Sequence, residues 1–336
     1  MRVLVTGAAG YIGSHTAAAL RESGHYVIGL DRRESSTPTS DVELVRGEIA
    51  DRALVESVIG DRGIDSVVHL AGDKSASESL AHPGRYFANN VCGTLGLLEA
   101  AAGAGVRRFV FSSSCAVYGV PERLPVTEES PVRPANPYGE SKALAERLLG
   151  WYQRCHGVAS ASLRYFNAAG ASLDGSMGED WSDAVNLIPV VLKAAYEGRP
   201  VTIFGTDFDT PDGTAVRDYV HVVDLAVAHV AALDRMERDG QSIIVNLGTG
   251  RGWSVRDVVE RAEAITGTRI AVRTAPRRPG DPAAIWADSS RAELLLDWSA
   301  RYGIDEIIAT AWRWHTRQAR TDARGALLDA AGSAGS

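Results

Sequence analysis

The chain has 336 residues, 45% of them hydrophobic and 23% charged, which suits a globular protein large enough for two lobes sharing a buried core. Its formal net charge of −7 argues against nucleic acid as partner, because phosphate backbones are held by basic surfaces. Three cysteines (Cys92, Cys115, Cys155), an N-terminal apolar stretch too short for a signal peptide, and no apolar run of the roughly 18 residues a membrane span needs point to a reducing cytoplasm and away from a membrane.

In chain order, short apolar runs predict strands over 3–6, 26–30, 42–46, 66–70, 107–112 and 160–165. Helical patterns separate them over 12–23, 51–59, 86–102 and 138–155. Strands joined by helices imply right-handed crossovers, hence an α/β fold with a doubly wound parallel sheet of Rossmann type. The first strand runs into Gly7-Ala8-Ala9-Gly10-Tyr11-Ile12-Gly13. Glycines at that turn permit positive φ and let backbone N–H groups approach a pyrophosphate at the helix start. The spacing is Gly-x-x-Gly-x-x-Gly, not the usual Gly-x-Gly-x-x-Gly. Asp31 ends the second strand, placed to accept hydrogen bonds from adenosine ribose hydroxyls and to repel a 2′-phosphate. Arg32 and Arg33 could hold such a phosphate, but with Asp31 present NAD is the expected cofactor.

The fifth strand leads into Phe111-Ser112-Ser113-Ser114-Cys115-Ala116-Val117-Tyr118-Gly119, which places serines at the carboxyl end of the sheet, where ligands of open α/β folds bind. Asn136 then N-caps a helix with Pro137 at its first position, so Tyr138 and Lys142 fall one turn apart on one face. A tyrosine is a poor base at neutral pH unless a neighbouring cation favours its phenolate, and Lys142 is expected to be that cation. With a Ser114 hydroxyl beside it, the group suits removal of a hydroxyl proton while hydride leaves the same carbon. Cys115 has no His-based dyad nearby and is expected to pack; His69 is expected to be structural, and no metal-ligand spacing is present.

Beyond Asn167 the rhythm loosens. Loops over 168–183 and 206–214 alternate with helices over 187–197, 222–238, 254–266 and 304–318 and strands over 201–204 and 243–247. This predicts a substrate lobe over 167–320, with segments returning to the sheet of the 1–166 domain, and a frayed tail over 321–336.

Together these motifs, with Leu163-Arg164-Tyr165-Phe166-Asn167 and Val216-Arg217-Asp218-Tyr219-Val220-His221, resemble the UDP-glucose 4-epimerase family of extended short-chain dehydrogenases/reductases over nearly the whole chain. The resemblance implies that Ser114, Tyr138 and Lys142 are catalytic. Around NAD it places Gly7, Gly10, Tyr11, Ile12, Gly13 and Asp31, the stretch Leu70-Ala71-Gly72, and Lys74, Asn90, Ser112 and Phe166. Glu48-Ile49 stands where the family usually has Asp-Ile at the adenine. The UDP moiety falls to Asn167, Asn186, Leu187, Thr202, Phe204, Arg217, Tyr219, Arg278 and Asp281. Arg217 and Arg278 suit a diphosphate, Phe204 a uracil and Asp281 a ribose. Ile285 aligns with a family position beside the sugar C2 substituent, held elsewhere by Tyr or by a small residue. The implied reaction withdraws hydride from C4, turns the 4-keto sugar over and returns the hydride to its other face. The implied assembly is a homodimer through the helices over 86–102 and 138–155. A dehydratase would need an acid–base pair where Cys115 and Ala116 stand; a uronate epimerase would need a cation that 180–191 lacks; a non-catalytic sensor would typically lack the Tyr-Lys pair.

Overall fold

Val3, Leu4 and Val5 are all completely buried, as a strand covered on both faces requires. In the computed structural model, which describes residues 1–34, 42–181, 185–278 and 280–333 with side chains through residue 319, they lie in β1 (Arg2–Thr6). The chain continues through α1 (Tyr11–Glu22), β2 (Tyr26–Asp31), β3 (Glu43–Arg46), α2 (Arg52–Asp61) and β4 (Ser66–His69). Two short helices, α3 (Ala76–Ala81) and α4 (Pro83–Tyr86), precede a π-helical segment (Phe87–Cys92) and α5 (Gly93–Gly103). Then come β5 (Arg108–Ser114), a 3₁₀ turn (Cys115–Tyr118), α6 (Pro137–His156) and β6 (Ala159–Tyr165).

The second half opens with β7 (Asn167–Ala169), α7 (Leu187–Glu197), β8 (Val201–Phe204), β9 (Val216–Arg217), β10 (Tyr219–His221) and α8 (Val222–Asp239). It closes with β11 (Ile243–Leu247), β12 (Trp253–Ser254), α9 (Val255–Thr266), β13 (Val272–Ala275), β14 (Ala284–Ile285), α10 (Ser290–Leu296) and α11 (Ile304–Ser333). Seven strands form one sheet in the order β11-β6-β5-β4-β1-β2-β3, every pair parallel. Strand order reverses beside β1, so the crevice for a ligand opens at the carboxyl ends of β1 and β4.

Alternation along the strands divides the core. Val3 and Val5 face α1 and α8 through Leu20, Leu225 and Leu233. Leu4 and Ile28 face α2, α5 and α6 through Val55, Leu97 and Leu149. A third cluster, with Ile188, Leu192, Val259, Ile307 and Ile308, holds α7, α9 and α11 together as the smaller lobe. Two expectations change. The helix expected over 86–102 is interrupted by the π-helical segment, whose widened turn carries Asn90 inward, 3% exposed. β11, over the expected 243–247, returns to the main sheet and pairs with β6 at its edge, where Val245 and Leu247 complete the α8-side core. The tail expected to fray continues α11 as far as Ser333, where Ala, Leu and Arg favour helix; residues 334–336, Asp183 and Pro279 lie outside the described residues.

Candidate active site

The glycine loop follows β1. Gly7 has φ +75°, and a Cβ there would sit 2.7 Å from the Ala71 nitrogen at the end of β4. At Gly13 a Cβ would fall 1.9 Å from the Gly7 carbonyl oxygen, so no side chain fits between loop and helix. Gly10 N-caps α1 without a side-chain bond, which leaves the first helical N–H groups to an anion. Asp31, 8% exposed, stands beside this loop: its Oδ2 accepts from the Ala9 N–H at 3.0 Å and its Oδ1 from the Arg33 N–H at 2.9 Å. This cradle, helix start and buried acid fit the adenosine diphosphate half of NAD.

The other proposed cofactor residues divide between the crevice and its supports. Leu70, Ala71 and Gly72 extend β4 to the rim, and a Cβ at Gly72 would lie 3.0 Å from Asn90 Oδ1 and 3.9 Å from Lys142 Nζ. Asn90 braces that rim, accepting from the Asp73 N–H at 2.8 Å and donating to Asp73 O and Ser141 Oγ, each at 3.0 Å. Lys74 reaches Glu179 of the smaller lobe at 3.1 Å, and the Tyr11 hydroxyl donates to Gly170 O at 2.7 Å. Both therefore tie the lobes together across the crevice. Ile49 packs under Gly93, Ile12 and Phe166 against the core, while Glu48 is exposed.

Tyr138, Lys142 and Ser114 meet at the carboxyl end of β5. Ser114 Oγ accepts from the Ala116 N–H at 3.2 Å and stands close enough to the Tyr138 phenol to pull its proton affinity down. Lys142, 5% exposed, donates from Nζ to the Ser112 carbonyl at 2.7 Å and lies 4.9 Å from the Phe111 ring centre. Burial pushes the Lys142 ammonium down to about 8 and the Tyr138 phenol up to about 12, with Ser114 opposing the latter. Lys142 is directed at the β5 backbone rather than at the phenol. Its ammonium is turned onto Ser112 and lies 6.0 Å from the tyrosine ring centre, so desolvation wins.

Cys115 packs, its thiol pushed up to about 12 by burial and so held protonated. His69 is structural: its ring nitrogens lie 2.7 Å from Thr6 Oγ1 and 2.9 Å from Thr94 Oγ1, and burial lowers it to about 3.

The substrate candidates come together through small sheets. β7 pairs with β10, and β9 lies between β12 and β14, so Asn167 stands opposite Tyr219 and Ile285 opposite Arg217. Arg217 Nη2 lies 3.9 Å from Asp281 Oδ1. Thr202 and Phe204 share the exposed face of β8, and the Arg278 guanidinium sits 4.1 Å from the Phe204 ring centre. Asn186 caps α7 ahead of Leu187 without a side-chain bond. Tyr219 and Ile285 are buried, the first in the small-lobe core and the second in the main one.

Sequence reasoning missed the supports. Glu146 follows Lys142 by one helical turn, and its carboxylate accepts from Arg164 Nε at 2.9 Å, Arg164 Nη2 at 2.6 Å and Ser113 Oγ at 2.5 Å. Asp218, completely buried, accepts from the N–H groups of Thr249, Gly250 and Ala287 and so pins the loops around Arg217. Glu146 was legible in the spacing 138, 142, 146; nothing local singles out Asp218.

The model of the NAD dependent epimerase/dehydratase family matches residues 3–248. The UDP-glucose 4-epimerase of Lactobacillus helveticus is 45% identical over 322 residues, spanning 94% of this chain and 97% of that protein. Among solved structures, the Stenotrophomonas maltophila UDP-glucose 4-epimerase with bound NAD and formylated UDP-arabinopyranose superposes with a TM-score of 0.91. It is 38% identical and covers 96% of this chain and 99% of its own. The Bifidobacterium longum UDP-glucose 4-epimerase in complex with NAD⁺ and UDP gives 0.89 at 42% identity, over 94% and 98% of the two chains.

Proposed function

The chain belongs to the NAD dependent epimerase/dehydratase family, and from that membership we propose that it is an isomerase, an NAD-dependent 4-epimerase of a UDP-hexose. The observation that carries the reading is the placement of Tyr138 and buried Lys142 one turn apart on α6, beside Ser114 at the end of β5 and at the crevice bordered by the glycine cradle. When bound, NAD supplies the acceptor and then the donor of the C4 hydride, and a positive ring charge near the phenol.

Tyr138 takes the O4 proton as the hydride leaves, which yields a 4-keto sugar, and returns that proton once the other face has been reduced. Ser114 holds the same oxygen through its hydroxyl. Lys142, an ammonium below about pH 8, fixes the β5 terminus through Ser112 and keeps positive charge near the phenol. Arg217 and Arg278 hold the diphosphate while the hexose turns; Phe204, already stacked by Arg278, faces the base. Cys115 and Ala116 offer no acid–base pair for expelling a hydroxyl, so the keto sugar has only reduction open to it. UDP-glucose and UDP-galactose are the proposed primary pair, with weaker action on their N-acetylated forms because Ile285 is smaller than Tyr. Incubation with either sugar nucleotide and no added coenzyme should yield the other; recovery of substrate alone after prolonged incubation sinks the reading.

The proposed assembly is a homodimer through α5 and α6, and Trp151 of α6 stands 59% exposed. Sedimentation of a single-chain mass at micromolar concentration would refute it. Among the described residues no helix is long and apolar enough to cross a membrane, and the three cysteines are unpaired, which supports work in a reducing cytoplasm.

A further inference from the structure

Arg32 and Arg33 extend from the end of β2, one and two residues past the acid expected at the adenosine ribose. Cations there would ordinarily recruit the 2′-phosphate of NADP. Both meet carboxylates of the crevice rim instead. Arg33 Nε lies 3.8 Å from Asp31 Oδ1, and Arg32 Nη2 lies 4.0 Å from Asp73 Oδ1.

Asp73 is a fixed partner. It follows Gly72 at the end of β4, across β1 from β2, and is 7% exposed. Arg85 grips it from α4, donating from Nε to Oδ2 at 3.0 Å and from Nη2 to Oδ1 at 2.8 Å, while Arg85 Nη1 donates to Glu78 at 2.8 Å. Asn90 accepts its backbone N–H. The rim therefore sets three arginines against three carboxylates, Asp31, Asp73 and Glu78, and the carboxylate nearest Arg32 cannot swing away.

We propose that Asp73 is a specificity-determining residue of the cofactor site, a rigid carboxylate that draws Arg32 to the rim and so competes with a 2′-phosphate for it. Asp31 repels the phosphate directly; Asp73 engages the cation beside it. An Arg at position 32 is compatible with NAD for that reason. The proposal rests on reading the crevice as the NAD site.

The test is nucleotide exchange: the holoprotein is equilibrated with equimolar NAD and NADP at low ionic strength, and bound nucleotide is released and quantified. Wild type should retain NAD almost exclusively. Asp73→Asn should raise the bound NADP:NAD ratio about tenfold, the scale of one charge-assisted hydrogen bond, with the gain shrinking in high salt. Adding Arg32→Ala should cancel that gain, while Arg32→Ala alone should not raise the ratio. If loss of its partner leaves Arg85 disruptive, Asp73→Asn with Arg85→Gln carries the same expectation. An unchanged ratio in the Asp73 variants, or a gain that survives Arg32→Ala, overturns the proposal. Failure of wild type to retain either nucleotide overturns the reading of the crevice itself.

Discussion

Replacing Tyr138 by Phe removes one oxygen atom and leaves the ring. The structure separates what that oxygen does for folding from what it does for chemistry. For folding, it offers at most one hydrogen bond beside Ser114, a net contribution of no more than about 0.5–1.5 kcal/mol, partly offset because a buried hydroxyl no longer needs desolvating. The ring keeps its edge-on contact with Tyr86, centre to centre 6.4 Å, so the melting temperature should move by no more than a few degrees. For chemistry, no other group stands in its place. Lys142 is committed to the Ser112 carbonyl, and Cys115 is held as a thiol by burial. Loss of a general acid–base group costs about 10²–10⁴ in rate, or roughly 3–5.5 kcal/mol of barrier. The assay follows conversion of UDP-galactose to UDP-glucose by nucleotide-sugar chromatography, with protein-bound NAD quantified in the same sample. The expected variant melts normally, retains NAD and turns over at least a hundredfold more slowly. Turnover within a few-fold of wild type, with NAD bound, would refute the assignment of Tyr138 as the proton-transfer group.

Gly13→Ala should strip NAD while the protein stays folded, because its methyl group would overlap the Gly7 carbonyl at 1.9 Å; full NAD content by absorbance would contradict the cradle. Ile285→Tyr should suppress action on N-acetylated substrates about tenfold to a hundredfold more than on the UDP-glucose pair, the scale of a 1–3 kcal/mol overpacking cost. Equal loss on both pairs would show that Ile285, 4% exposed, only fills the core. Stability should fall with acid, since burial lowers His69 and His315 to about 3 and His221 and His229 to about 4. Folded, these histidines stay neutral, whereas the unfolded chain takes up protons below about pH 6.5. The stabilisation is therefore complete above pH 6.5 and declines as pH falls, to about 4 for His221 and His229 and to about 3 for His69 and His315, by up to about 1.4 kcal/mol per histidine per pH unit. Urea midpoints that do not fall as pH drops through that window would refute this.

Local chemistry made much of this protein legible in advance. Buried parallel strands must read as continuous apolar runs, and β1 and β4 do. Asn136, Pro137 and the one-turn spacing of Tyr138 and Lys142 announced α6 with both side chains on one face, as observed. Gly7 and Gly13 carried a steric demand that the structure expresses as backbone contacts no Cβ could share. These signals act within a few residues, so the sequence contains them whole.

What lay beyond reach depends on contacts between distant segments. Helix periodicity over 86–102 could not disclose the widened turn at Asn90, whose cause is the loop at Asp73 and the Ser141 hydroxyl. Asp218 lies inside a motif without looking different from a surface acid, until Thr249, Gly250 and Ala287 point their N–H groups at it. The burial of Tyr138 and Lys142 lies equally beyond spacing, because adjacency on a helix says nothing of desolvation or of where an ammonium turns. Sequence by itself determined the strands, the helix faces and the chemical groups on offer. Only the tertiary structure decided which of them are buried, which charges oppose one another and which residues brace the site, since burial and pairing are properties of the whole packed chain.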